Sequence, residues 1–477
     1  MTALLLAPGI HQSASELASE GTIHALSLFR EAPTPASLKR YEDSLAEQSL
    51  AGAWVRRVWA ELFDAATMRG NPKVIIRPGG WLFQRESLDF VCGRNFVEHW
   101  AARSASTPLD AIADLHRQLV ARGVALAVVP IPTSATIYPE RLRRGVDPLG
   151  LPTNPGLPAL IGALDAMGVE VIDAGPILRD LKRAGVEVTL ARDTHWTPAG
   201  MAAVSRAIAS RIVRLLDGVP CHPFDRRLVD FQGAGDLYRL LPYWEKAARF
   251  EPMNLEVEQV IRSDVGQEAR GNGDAPVLLL GDSYTNVFSN GDPDMGRRGG
   301  LAEHLAVELG VQVDVIAMPA GGATRARQAL ARRPEVLEGK RVVVWEWSER
   351  DLRFADEWRP IEIPRSTHAV STSRRQRTEL TARVIEVSAV PQNMGYRDCL
   401  IVVRYRSLEG ASDEDLFVLH PAWVDGVPQA ALALRPGDVR RLVLVPMTPH
   451  VNLESACWIE SVGMSAEPWW ALSEEPR

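Results

Sequence analysis

The chain has 477 residues, 46% hydrophobic and 24% charged, with a formal net charge of −7. This is an ordinary globular composition, long enough for two or three domains and for a core that needs neither disulfides nor a metal. The acidic balance argues against a nucleic-acid footprint, and no internal run reaches the roughly 18 apolar residues of a membrane span.

In chain order, Met1–Pro8 is a short apolar run without a basic flank. It is too short to span a membrane and poor as a signal peptide. Residues 1–70 read as a helical N-terminal segment, with helix-former-rich runs around Leu38–Leu62. Beyond it, strands and helices alternate. The pattern predicts strands at 74–76, 125–131, 169–172, 277–280, 311–317 and 342–347. Between them it predicts helices at 108–122, 159–167, 200–216, 301–309 and 324–332. Apolar strands alternating with amphipathic helices over 71–364 predict an α/β fold with a doubly wound parallel sheet. Residues 220–275 break the rhythm with HPFDRR, aromatic pairs and the polar loop GQEARGNGDAP, and read as an insertion before the strand at 277. Near residue 365 a polar, basic stretch, RSTHAVSTSRRQR, reads as a connector. The tail, 375–477, then carries LTARVIEVSAV, CLIVVRYR, DLFVLH, RRLVLVPM and ACWIESV between turn signals. That spacing predicts a small C-terminal β-sandwich.

Two fragments carry chemistry. In PVLLLGDSYTN an apolar strand ends in Gly281-Asp282-Ser283. A glycine at the carboxyl edge of an α/β strand lets the backbone turn sharply where such sheets place their sites. Ser283 then stands at the start of the next segment, where neighbouring N–H groups can face an oxyanion. Taken alone, Gly-Asp-Ser is also a common helix cap. The second fragment is RDTHWTPAG, residues 192–200. Residues 186–190 look strand-like, so Asp193 and His195, at i and i+2, are expected to point the same way. A serine nucleophile needs a base, and the base needs a carboxylate to fix its tautomer. Asp193 and His195 supply both. Thr197-Pro198 reads as the N-cap and first residue of the following helix.

These motifs, together with GGWLFQ at 79–84, resemble the alginate O-acetyltransferases of the AlgJ/AlgX family, SGNH-hydrolase-like proteins of the bacterial periplasm. The resemblance spans roughly 70–355. It includes the motif order: Asp193 and His195 precede Ser283, whereas common SGNH esterases place the serine block first. It implies an SGNH-like catalytic domain that moves acetyl groups through a serine acyl-enzyme onto hydroxyls of an exopolysaccharide, with no cofactor and no metal. It also implies a periplasmic location, a polysaccharide acceptor, an acetyl donor and a place in an exopolysaccharide export or acetylation complex. The β-rich tail is similar in placement to the carbohydrate-binding module of one family member. The triad leaves two alternatives open, an SGNH-type carbohydrate acetylesterase and a non-catalytic polysaccharide-binding scaffold.

Other residues are candidates for the oxyanion hole or for substrate. Gly321-Gly322 stands where an SGNH glycine block would, with Gly322 the candidate, while Asn286 reads as a cap rather than as an asparagine block. Tyr284 follows the nucleophile. Arg325 and Arg327 begin a helix near the same edge, and their alternative is a solvated helix face. Trp345 and Trp347 end a strand and are candidates for the floor of a sugar groove. Trp81 is expected in the core. Trp423, Trp458, Trp469 and Trp470 are candidates for a stacking platform in the tail. Of the four cysteines, Cys399 and Cys457 both fall in the tail and are the candidate disulfide, against four buried free thiols.

Overall fold

Two short strands, β1 (Val74–Arg77) and β2 (Trp81–Gln84), pair antiparallel around Gly79 and Gly80, whose φ of 80° and 77° suits glycine. In this computed structural model the described residues are 70–93, 106–241, 250–264, 266–271, 273–289, 295–319, 322–353, 358–365, 377–389, 399–408, 415–424, 427–446, 457–458, 462, 464 and 468–476. The predicted N-terminal helices and the connector before the tail lie, but for their end residues, outside them. Every element named below belongs to one compact unit, Lys73–Leu240 with Glu251–Arg477.

After α1 (Arg85–Val91), α2 (Pro108–Val120) opens on a capping box in which Thr107 and Asp110 satisfy each other's backbone N–H. Then come β3 (Ala125–Ile131), α3 (Gly156–Ala166), β4 (Glu170–Val171), α4 (Ala174–Arg183) and α5 (Pro198–Ile212). Helix α5 starts as predicted, with the Gly200 N–H donating to Thr197 Oγ1 and Pro198 in its first turn. The insertion is an antiparallel sheet of β5 (Phe224–Gly233), β6 (Met253–Arg262) and β7 (Gln267–Glu268). The chain continues through β8 (Val277–Gly281), α6 (Leu301–Leu309), β9 (Val313–Ala317), α7 (Gly322–Arg332) and β10 (Val342–Ser348).

The central sheet is parallel in the order β4-β3-β10-β8-β9. Its buried strands alternate between two apolar layers. Val129, Leu279 and Val344 face α4, α5 and α6, whereas Val128, Leu280 and Val343 face α2, α3 and α7. Starting at β8 and wrapping from β10 to β3, the order β9-β8-β10-β3-β4 is the 2-1-3-4-5 arrangement of a doubly wound sheet. The reversed motif order in the sequence therefore corresponds to a circular permutation of that sheet. The switch point, where such sheets open a crevice at their carboxyl edge, falls between β8 and β10.

The tail forms β11 (Thr378–Val387), β12 (Cys399–Ser407), β13 (Asp415–Val424), β14 (Val427–Pro428), β15 (Val439–Pro446), β16 (Cys457–Trp458) and β17 (Trp469–Pro476). The strand at 469–476 has no counterpart in the sequence reading, because its WWALSEEP lacks a clean alternation. The tail is β-rich as predicted, and β13, β17, β15, β11 and β12 pair in a closed ring, so its two faces join as a barrel. Ala382, Tyr405, Val418 and Leu442 fill its interior. Leu400, Val402, Phe417 and Leu419 point the other way, into the layer shared with α2, α3 and α7. The barrel is thus packed on the α/β domain through a common core.

Candidate active site

Strand β8 delivers Gly281 and Asp282 to its carboxyl end, and Ser283 opens a one-turn helix, Ser283–Asn286. Asp282 caps that turn by accepting the Tyr284 N–H at 2.7 Å. Asp193 and His195 do not sit on a strand as the i, i+2 reading predicts. Residues 186–190 form no strand, and Thr189 and Trp196 make a single bridge, closed by the Leu190 N–H on the His195 carbonyl. The two residues share the loop so formed, where the Asp193 carboxylate folds back onto the His195 N–H at 3.0 Å, as Asx turns do. Strand β2 steadies the loop by donating the Leu82 N–H to the Ala191 carbonyl, which gives the GGWLFQ motif a structural use.

The loop and the turn meet. His195 Nε2 lies 2.8 Å from Ser283 Oγ, and His195 Nδ1 lies 2.5 Å from Asp193 Oδ1. All three side chains are buried. Burial alone depresses the His195 pKa, but the Asp193 charge and hydrogen bond outweigh it, so the imidazole is more basic than usual. Burial likewise raises Asp193, yet His195 and the hydrogen bonds it receives bring the carboxyl below its ordinary value.

The insertion completes the site with a residue that sequence reasoning missed. The Asp236 N–H donates to Asp193 Oδ2 at 2.7 Å. The Asp236 carboxylate accepts the Thr194 N–H at 2.8 Å and the Thr194 hydroxyl at 2.5 Å. Burial and the neighbouring Asp193 push its pKa up to about 6. Gly235, at φ 90°, permits this approach, because a Cβ there would collide with the Arg192 carbonyl. The Gly-Ala-Gly-Asp run at 233–236 was the available signal. Asp193, His195 and Asp236 bring potential metal-ligating atoms within 4.8 Å of one another, but both carboxylates are already engaged by N–H and O–H donors.

Several candidates change role. Tyr284 is fully buried, donating its hydroxyl to the Thr194 carbonyl at 2.5 Å and packing edge-on against His195 and Trp196. It braces the histidine loop from below and does not face substrate. Trp345 and Trp347 are core residues packed on Trp358 and cannot floor a groove. Arg327 is buried too, with its guanidinium over the Trp345 ring and hydrogen-bonded to the Ala323 and Arg359 carbonyls. Arg325 is half-buried on α7. Gly322, at φ 56°, opens α7 directly after β9, and Gly321 lies outside the described residues. Asn286 is no cap: it is buried, accepts from Arg270 at 2.9 Å and donates to the Ala317 carbonyl, a structural post. Trp81 is in the core as expected. In the barrel, Trp423 and Trp469 pack on its interior cluster and Trp470 on the shared layer, so these three form no single exposed platform.

Beyond β10, Glu349 is enclosed by the Thr133 N–H at 2.9 Å and the hydroxyls of Thr133, Thr136 and Thr153, and burial pushes its pKa up to about 7. Arg350 holds its guanidinium 6.0 Å from the Tyr284 ring. The acidic and basic residues closing the apolar run VVVWEWSERD were the sequence signal for this edge.

Residues 74–349 match the family described as SGNH hydrolase-like domain, acetyltransferase AlgX. The probable alginate O-acetylase AlgJ of Pseudomonas aeruginosa is 28% identical over 316 residues, covering 63% of this chain and 75% of the relative. The protein of that name in Azotobacter vinelandii is 26% identical over 331 residues, covering 66% and 78%. The solved O-acetyltransferase domain of Pseudomonas putida AlgJ is 23% identical, covers 59% of this chain and 92% of its own, and superposes with a TM-score of 0.45.

Proposed function

The chain belongs to the AlgX family of SGNH hydrolase-like acetyltransferases, and from that premise we propose that it transfers acetyl groups to hydroxyls of an exopolysaccharide through an acetyl-serine at Ser283. The observation that carries this reading is the unbroken relay from Ser283 Oγ to His195 Nε2 and from His195 Nδ1 to Asp193. Ser283 Oγ attacks the donor's acetyl carbonyl while His195 Nε2 takes its proton, and Asp193 stabilises the imidazolium that forms. The Ser283 N–H donates to the oxyanion. Collapse of the tetrahedral intermediate breaks the bond to the donor's leaving group, which takes the proton back from His195. A sugar hydroxyl then loses its proton to His195, attacks the acetyl-serine and departs as the acetate ester, restoring the Ser283 hydroxyl.

The names of the relatives support an alginate-like acceptor, and with that acceptor our reading extends to a site of action outside the cytoplasm beside an exopolysaccharide export complex. We assign catalysis to 71–364, including the insertion at about 220–275, and a polymer-holding role to the tail from 375. The test is acetyl transfer from a chromogenic acetyl ester with and without an oligouronate. Acceptor-dependent acetylation, read by mass, supports transfer. Ester hydrolysis indifferent to the acceptor points instead to an acetylesterase, and silence toward both, in a protein that still binds the polymer, to a scaffold.

A further inference from the structure

Glu346 is a carboxylic acid in a strand, β10, that is buried along its whole length, and it is 1% exposed. Its neighbours Trp345 and Trp347 point into one apolar layer, so the pleat sends Glu346 into the other, beneath the turn that carries Ser283. There Oε1 accepts the Asp282 N–H at 2.8 Å, the Thr285 N–H at 3.1 Å and the Thr285 hydroxyl at 2.8 Å. Gly281 makes room for it, because a Cβ at that position would collide with both Glu346 and the Thr285 hydroxyl. The first amides of a helix lack intrahelical acceptors and are normally open to an external anion or water. Here the Asp282 and Thr285 amides go to Glu346 and the Tyr284 amide goes to Asp282. Of the four amides from 282 to 285, the Ser283 N–H alone has no acceptor among the described residues.

We propose that Glu346 is a positioning residue for acyl transfer: it anchors the nucleophile turn from below and leaves the Ser283 N–H as its single open donor, aimed at the oxyanion. The inference rests on the triad reading and adds to it the group that sets the turn. Burial and the neighbouring Asp282 carboxylate push the Glu346 carboxyl well above its usual pKa. Its neutral form adds no negative charge beneath the developing oxyanion, and the amide of glutamine can replace it as an acceptor.

The experiment compares Glu346→Ala, Glu346→Gln and Thr285→Val in the full chain, with 4-nitrophenyl acetate as donor and Ser283→Ala as control. E346A is expected to lose about a hundredfold in kcat, the effect of a displaced reacting group, with KM unchanged. E346Q retains most of the wild-type kcat. T285V removes one hydroxyl donor at nearly constant volume and is expected to lose about fivefold in kcat, the worth of one neutral hydrogen bond. T285V keeps the test decisive where E346A does not fold. Wild-type kcat in folded E346A or T285V, or an E346Q as impaired as E346A, overturns the proposal while leaving the triad reading intact. Full turnover by S283A overturns both.

Discussion

The α/β domain and the barrel bury polar groups to different ends. At the carboxyl edge of the central sheet, Asp193, His195, Asp282, Glu346 and Glu349 lie within the fold, several with displaced pKa values. In the barrel the buried polar residues are Thr381, Ser388 and His420, with His420 bonded to the Tyr405 hydroxyl at 3.1 Å and no carboxylate among the buried residues described there. Burying a carboxylate or an imidazolium is costly unless partners hold it. Several together at one edge, and none among the buried residues described in the neighbouring β-domain, is the pattern expected where chemistry is done, in keeping with the assignment proposed above. The barrel's apolar investment is of another kind. The larger part of it closes its own interior and the smaller part seals the layer it shares with α2, α3 and α7.

The sharpest division between the two comes from Ser283→Ala. Removing a triad member is expected to lower acetyl transfer at least about ten-thousandfold. The thermal transition should stay where it is, because Ser283 Oγ contributes one hydrogen bond to a preformed cluster. Acetyl-ester turnover alongside calorimetry reads both, and a large loss of stability would make the site part of the scaffold. Leu419→Ala cuts from the other side. Leu419 lies on β13 but packs into the layer that also holds Trp345, Leu352 and Trp358. Truncating a fully buried leucine costs about 2–5 kcal/mol, and one cooperative transition, shifted as a whole, is the expected trace by circular dichroism. Two separated transitions would mean that the halves fold independently and that a chain ending near residue 365 could stand alone.

A third difference is redox. Cys92 and Cys221 are exposed and free, which removes the reading of four buried thiols. Cys399 stands directly opposite Cys457 on the paired parallel strands β12 and β16. Neighbouring strands are roughly 4.8 Å apart, inside the roughly 4.4–6.8 Å between Cα atoms that a disulfide spans. In an oxidising compartment the two should be bridged, and denatured, unreduced protein should show two reactive thiols. Reduction should lower stability by about 2–4 kcal/mol and leave ester turnover at moderate temperature unchanged. Four reactive thiols in protein recovered from an oxidising compartment would remove the bridge.

Much of this architecture was legible because apolar period and motif chemistry agreed. VLLLGDS, ALAVVPI and VVVWEWS could be read as parallel strands, and GDS with DTHW as two fragments that meet. What escaped reading depended on distance in the chain. Asp236 reaches Asp193 from an insertion whose hairpin, β5 and β6, carries mixed rather than clean alternation. The proximity of Asp193 and His195 was read correctly from the wrong cause, since a side chain bonding its own backbone two residues on leaves no periodic trace. Trp345 and Trp347 looked like a sugar floor because a strand end is where ligands gather. Their burial was settled by Trp358 and by barrel residues more than fifty positions further on.

A smaller effect belongs to Asp236, and it tests whether the insertion is part of the chemistry or only a cover. Asp236→Ala keeps the backbone N–H that holds Asp193 but removes the acceptor for Thr194. Losing hydrogen bonds to a carboxylate, each worth about 1.5–3 kcal/mol, loosens the residue between Asp193 and His195, and a fall in kcat of about tenfold follows. A structural role could do as much, so the pH profile decides. His195 must be neutral to take the serine proton, and turnover therefore rises with pH through its pKa, which the fold raises above the ordinary value of about 6.5. The carboxylates facing His195 are Asp193, Asp236 and Asp282. Deleting the Asp236 charge makes the imidazolium easier to deprotonate, so the acid limb of kcat/KM should move to lower pH even as the plateau drops. Asp236 itself titrates near 6 beside Asp193, so the wild-type limb belongs to the cluster as a whole and should be broader than that of the variant. A limb that stays in place, or moves to higher pH, would show that the Asp236 charge does not act on His195 and would leave the insertion as a cover.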